Sequence, residues 1–216
     1  PMAEALKASV PMLVMVEEVP ASDVERNAFQ EFDHVSLFRP VAKWIGKVDF
    51  PERLDDMLDL AIVTATSGRP GPVVLLLPRD ILSQTTVVDK PRAAELGHFP
   101  LDRTIPAPAA LNDAAKLMLA AKRPLVIAGG GVHLSAAAAV VETFCDRWGL
   151  PVATTNMGKG AIADTHPLAV GVFGNCMGKG TKASELRHFV DDVDVLLLVG
   201  TRTNQNGTDA WSLFPA

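Results

Sequence analysis

The chain has 216 residues, 48% of them hydrophobic, and a formal net charge of −5. That length and apolar content support one large domain or two small ones and exclude a disordered chain. The acidic balance excludes a basic nucleic-acid surface, no apolar run reaches the roughly 20 residues that span a bilayer, and two cysteines, Cys145 and Cys176, make neither a disulfide framework nor a four-ligand zinc site.

Taken in order, Leu13–Val16 reads as a short apolar run of strand length and Lys43–Val48 as a second, more exposed strand. Pro51 opens a helix whose Leu54, Leu58, Ala61 and Ala65 recur at helical spacing, and Gly68 stops it. Pro72–Pro78 is apolar throughout, the pattern of a strand buried on both faces of a parallel sheet. Residues 83–108 are polar and proline-rich, with Thr85, Thr86, Lys90, Pro91, Pro100, Pro106 and Pro108, and form the best domain boundary. Beyond it, Leu111–Ala121 reads as a helix with Leu111, Ala115, Met118 and Leu119 on one side, and Leu125–Ala128 as a strand ending in three glycines. Ser135 is expected to cap a helix running to about Trp148, with Gly149 ending it. Pro151–Thr154 reads as a strand, Thr181–Val190 as a helix with Leu186 and Phe189 inward, and Val193–Gly200 as containing the clearest buried strand. The alternation predicts the α/β class, with two open parallel-sheet domains and right-handed crossovers.

Four segments carry candidate chemistry. Gly129-Gly130-Gly131 follows a strand and precedes a helix, where glycine lets a phosphate approach backbone N–H groups. It is not a full dinucleotide fingerprint, because Leu134 stands at the third glycine's place, and a tight turn without ligand explains it equally. Gly200-Thr201-Arg202 lies beyond another strand's C-terminal end, where open sheets bind ligands, and the Thr154–Gly158 turn is expected at the same edge. Ser67–Pro72 is a stop-and-turn sequence, except that the turn itself needs no cation such as Arg69. Ala28–His34 reads on spacing as an ordinary amphipathic turn. The five histidines lack metal-ligand spacing, no nucleophile elbow is present, and Cys145 falls on the apolar side of a helix.

In this order, Ala28–Glu31, Arg39–Lys43, Ser67–Val73, Leu77–Asp80, Arg123–Gly131, Gly149–Gly158, His166–Leu168 and Asp194–Arg202 resemble the thiamine-diphosphate-dependent enzymes of the acetolactate (acetohydroxyacid) synthase group. The resemblance implies that residues 1–83 are the later part of a pyrimidine-binding domain, 84–106 a linker, and 107–216 most of a Rossmann-like central domain. The family's activating glutamate and its Gly-Asp-Gly…Asn motif for Mg²⁺ are expected outside these residues. The chain, opening at Pro1 and closing on an apolar tail, therefore reads as an internal fragment without activity of its own.

The resemblance also implies roles. Phe29 and Gln30 would stand near the thiazolium of thiamine diphosphate in a neighbouring subunit's site, and Arg79 would replace a substrate-channel lysine. Arg69, Gly129, Gly130, Gly131, Thr155, Asn156, Met157, Gly200 and Arg202 would contact FAD or an adenine nucleotide such as ADP. Asn204 and Gln205, where the synthases have two aspartates, and Phe173, where they have histidine, depart from the pattern and leave FAD open against ADP. The implied function is carboligation or decarboxylation of a 2-oxo acid by a cytoplasmic homodimer or homotetramer. An oxalyl-coenzyme A or other 2-oxo-acid decarboxylase is the alternative within the family, and a non-catalytic nucleotide-binding module the alternative outside it.

Overall fold

A computed structural model describes residues 1–86, 93, 95–98 and 104–214. The chain falls into two units, Pro1–Arg103 and Thr104–Ala216, each with its own parallel sheet. Of the proline-rich stretch, Lys90, Pro91 and Pro100 lie outside the described residues.

The first unit contains α1 (Met2–Ala8), β1 (Met12–Glu18), α2 (His34–Phe38), β2 (Trp44–Lys47), α3 (Leu54–Thr66), β3 (Pro72–Pro78) and α4 (Arg79–Leu82). The sheet order is β1-β3-β2, all parallel. Being central explains β3: each of its residues is buried, so both faces must be apolar. Helix α3 lays Ala61 and Ala65, the two alanines of the predicted stripe, against Val73, while its Leu54 and Leu58 pack on Leu75 and Leu77. Sequence reading did not anticipate α1 or α2.

The second unit contains α5 (Pro108–Ala120), β4 (Pro124–Ala128), α6 (Gly131–Leu134), α7 (Ala138–Trp148), β5 (Val152–Thr154), β6 (Ala169–Val172), α8 (Lys182–Glu185), α9 (His188–Asp191) and β7 (Val195–Val199). Its sheet order is β6-β5-β4-β7, again parallel. Strand β4 alternates across the sheet: Val126 and Ala128 join α7's Val141 and Cys145, whereas Leu125 and Ile127 join Phe173, Ala183 and Val190.

Four expectations need correction. Strand β7 lies at the sheet edge and is only half-buried, with Leu198 44% exposed, because among the described residues it pairs with β4 alone. Ser135 caps no long helix; it closes the single turn α6, and α7 begins at Ala138 without a side-chain cap. The predicted helix over 181–190 is two short helices, and the break turns Val190 rather than Phe189 into the core. On α5 only Met118 packs on the core, while Leu111 and Leu119 are exposed. Sequence reading also missed β6, whose residues are few and interrupted by Gly171 at φ 105°.

Candidate cofactor and substrate site

In the second unit the three predicted loops meet at the C-terminal ends of β4, β5 and β7. Gly129 N–H donates to Val199 O (2.8 Å), Gly131 N–H to Gly200 O (2.9 Å) and Thr155 N–H to Ala128 O (2.9 Å). These contacts explain most of the glycines. A Cβ on Gly129 would stand 2.5 Å from Gly200 O, one on Gly131 2.7 Å from Gly200 Cα, and one on Gly158 2.1 Å from Ala128 O. Their lack of a side chain is thus spent on packing loop against loop, and Gly200 adds a left-handed φ of 61°. Gly130 differs, since its Cβ would meet Met157 Cβ at 3.1 Å. The helix after the glycine loop is the one-turn α6, which carries far less macrodipole than the long helix expected there.

Around these loops Asn156, Met157 and Arg202 are exposed and Thr155 is buried. Asn156 Oδ1 accepts from the Cys176 thiol at 3.1 Å. Thr154, at the end of β5, is 3% exposed, and its hydroxyl oxygen has no hydrogen-bond partner. A buried hydroxyl left unpaired is costly.

In the first unit Phe29 is 83% exposed on the loop after β1, and the adjoining Gln30 has a left-handed φ of 64°. The Glu31 carboxylate accepts from the backbone N–H groups of Ala28 (3.1 Å) and Glu25, holding the turn that presents both. Arg79 opens α4 directly after β3, and its Nε donates to Glu17 Oε1 at 2.7 Å. Glu17 was not singled out from sequence; it sits beside β3 only because β1 and β3 are register partners there. The same edge gathers Lys47, which pairs with Glu18 at 2.9 Å, and His34, whose Nδ1 stands 3.5 Å from the same carboxylate.

Arg69 precedes β3 and therefore stands at the opposite end of that strand from Arg79. Its Nε donates to Ser9 Oγ (3.0 Å), and its Nη2 to Leu6 O (3.0 Å) and Lys7 O (3.3 Å). The cation that the turn did not require is used to hold the C-terminal end of α1, where the orphan carbonyls of a helix favour positive charge.

Cys145 is fully buried, and burial, with the charge of Asp146 adding, pushes its thiol up to about 11. Among the described residues one group has the makings of a metal site: Glu142 and Asp146 on α7 with His166. Its hydrogen bonds oppose that use. Leu168 N–H donates to His166 Nδ1 at 3.2 Å, so the ring proton sits on Nε2 and faces Asp146 Oδ1 at 3.1 Å. A metal on Nε2 needs the other tautomer.

Residues 111–216 match the family described as thiamine pyrophosphate enzyme, central domain. The chain is 35% identical over 210 residues to a probable acetolactate synthase large subunit of Methanocaldococcus jannaschii, covering 95% of this chain and 34% of that protein. It is 33% identical over 203 residues to the acetolactate synthase isozyme 1 large subunit of Escherichia coli, covering 93% and 34%. With the acetolactate synthase of Arthrospira platensis the identity is 32% over 204 residues, covering 93% and 34%. The chain spans about a third of the length of these relatives. It belongs to the thiamine-diphosphate-dependent enzyme family, in its acetolactate synthase-like branch.

Proposed function

We propose that this chain is the pyrimidine-domain segment (residues 1–83) and most of the central domain of a thiamine-diphosphate-dependent carboligase that condenses 2-oxo acids to acetolactate. The carrying observation is that the likeness to acetolactate synthases runs over 210 residues, through both units, and not only through the central domain. A free-standing nucleotide-binding module would give no reason for the first unit to share it.

Thiamine diphosphate, when bound, supplies the carbanion and the electron sink for 2-oxo-acid chemistry. The chain's own residues position and shield. Phe29 offers an apolar wall that keeps water from the reacting carbon, and Gln30 a polar contact beside it. Glu17 holds Arg79 by Nε, so the two Nη groups remain to orient a substrate carboxylate. In the second unit, Gly130 and the exposed Asn156, Met157 and Arg202 suit a nucleotide group, FAD or ADP, laid across the strand ends. Arg69 is not counted in that set, since its donors hold α1. Mg²⁺ would be held through a domain outside these residues. A homodimer or homotetramer in the cytoplasm completes the proposal; among the described residues no helix is long and apolar enough to cross a membrane.

The test is acetolactate formation from pyruvate with thiamine diphosphate and Mg²⁺, using the longest reading frame that contains these residues. Product from that protein, and none from the 216 residues alone, is the expected result. Decarboxylation without acetolactate would overturn the carboligase reading. An absorption band near ~450 nm in the same preparation assigns FAD, because the flavin chromophore belongs to the cofactor itself. A colourless protein that releases ADP assigns the nucleotide instead.

A further inference from the structure

Strand β2 is an edge of the first unit's sheet, so its outward backbone groups have no sheet partner among the described residues. Between this edge and α2 lies a cavity of about 350 Å³. Val35, Ile45 and Leu76 line it, as do Arg39, Lys43 and Lys47. The register explains the mixture. Lys47 pairs with Leu76 and Ile45 with Val74, which puts Ile45, Lys47 and Leu76 on the sheet face away from α3. Leu76 is fully buried, so the accessible apolar floor is Val35 and Ile45, under a cationic rim.

The three cations are not equivalent. Lys43 donates its ammonium to the carbonyls of Thr64 and Ser67 at the end of α3, and burial lowers its pKa. Lys47 is neutralised by Glu18 at 2.9 Å. Arg39 is exposed and forms no ion pair among the described residues. Its charge reaches Asp33, whose carboxylate is occupied in capping α2 through Ser36 N–H at 2.9 Å. The cavity lining contains no acidic residue. Arg39 therefore presents a guanidinium fork beside an apolar floor, in a space at the small end of ligand pockets.

We infer that this cavity is a binding site for a small carboxylate with a short apolar body, held by Arg39 at the head and by Val35 and Ile45 along the chain. It is separate from the strand-end loops of the second unit and independent of the carboligase reading.

The probe is hexanoate, titrated into the whole chain and followed by calorimetry and by the methyl resonance of Ile45. With so few non-hydrogen atoms, a saturable Kd of about 1 mM or tighter is expected. Arg39→Gln weakens binding by about tenfold or more, as loss of a charged hydrogen bond does. Lys47→Gln, already neutralised in the wild type, changes it by less than about threefold. Hexanol and inorganic phosphate, which lack the head and the body respectively, each bind at least about tenfold more weakly. Since Arg39 is exposed, an unchanged melting temperature shows that the variant is folded. No saturation by ~10 mM hexanoate, equal affinity in Arg39→Gln, or phosphate binding as well as hexanoate would each overturn the inference.

Discussion

Replacing Gly158 by alanine tests whether the glycines at the strand ends serve loop packing. The new Cβ would lie 2.1 Å from Ala128 O and 2.9 Å from Gly129 Cα. Relief needs more than about 1 Å of backbone movement to reach an ordinary contact of 3.4 Å. Both neighbours are main-chain atoms, so no rotamer change provides it. Ala128 is fully buried and paired with Thr154 on one side and Val199 on the other. Its carbonyl also accepts from Thr155 N–H at 2.9 Å. Overpacking costs about 1–3 kcal/mol and a weakened backbone hydrogen bond about 1 kcal/mol, for about 2–4 kcal/mol together. For a unit of this size that lowers Tm by about 10 °C. Gly130→Ala is the milder comparison: its Cβ would meet Met157 Cβ at 3.1 Å and Met157 O at 3.3 Å, so a backbone shift of only about a few tenths of an ångström relieves it. Its Tm should fall by less than about 3 °C. Differential scanning calorimetry measures both. A Gly158→Ala protein melting within about 2 °C of wild type would refute the packing account.

Other outcomes follow from single observations. Arg69→Met removes the donors to Ser9, Leu6 and Lys7, so hydrogen-exchange protection across α1 falls, by about 1–2 kcal/mol; unchanged protection would return Arg69 to the nucleotide set. Asp194 accepts from the N–H groups of Lys122 and Arg123, and these bonds lower its pKa from the usual 3.8. Its contribution to stability is therefore complete above that value and is lost as pH falls below it. The stability gap to Asp194→Asn, read by denaturant titration, should be full near about pH 6 and close in acid. Cys145, buried with its thiol near 11, should resist a thiol reagent at about pH 8 until the protein unfolds, while the partly exposed Cys176 reacts first. Phe29→Ala should leave Tm within about 1 °C, because the ring is 83% exposed. It should also cut acetolactate formation by about tenfold in the protein that carries out the reaction, as loss of a positioning wall does.

Much of the fold was legible because hydrophobic periodicity survives without neighbours. Pro72–Pro78 could be read as central, and Leu54, Leu58, Ala61 and Ala65 as one face, from spacing alone. The same logic misjudged β7, whose apolar run resembles that of β3 although only one partner strand lies beside it. A run of residues records what each strand tolerates and not how many strands adjoin it. The candidate site divides in the same way. Gly129, Gly130, Gly131, Thr155, Asn156, Met157 and Gly200 were visible as loops after strands, and the parallel sheet brings their loops together. Glu17, Glu18 and Lys47 were not visible, since their significance is a register between strands distant in sequence.

The sequence by itself determined the α/β class, most of the strands and the longer helices, the loops that follow strand ends, and the family through its ordered motifs, because these are local patterns or direct likenesses. Only the tertiary structure decided how each charged or small residue is spent: Arg69 on α1, Arg79 with Glu17, Gly158 against Ala128, and Arg39, without an ion pair among the described residues, beside the cavity at β2. A side chain's partners lie across space, and strand register, which no local pattern encodes, chooses them.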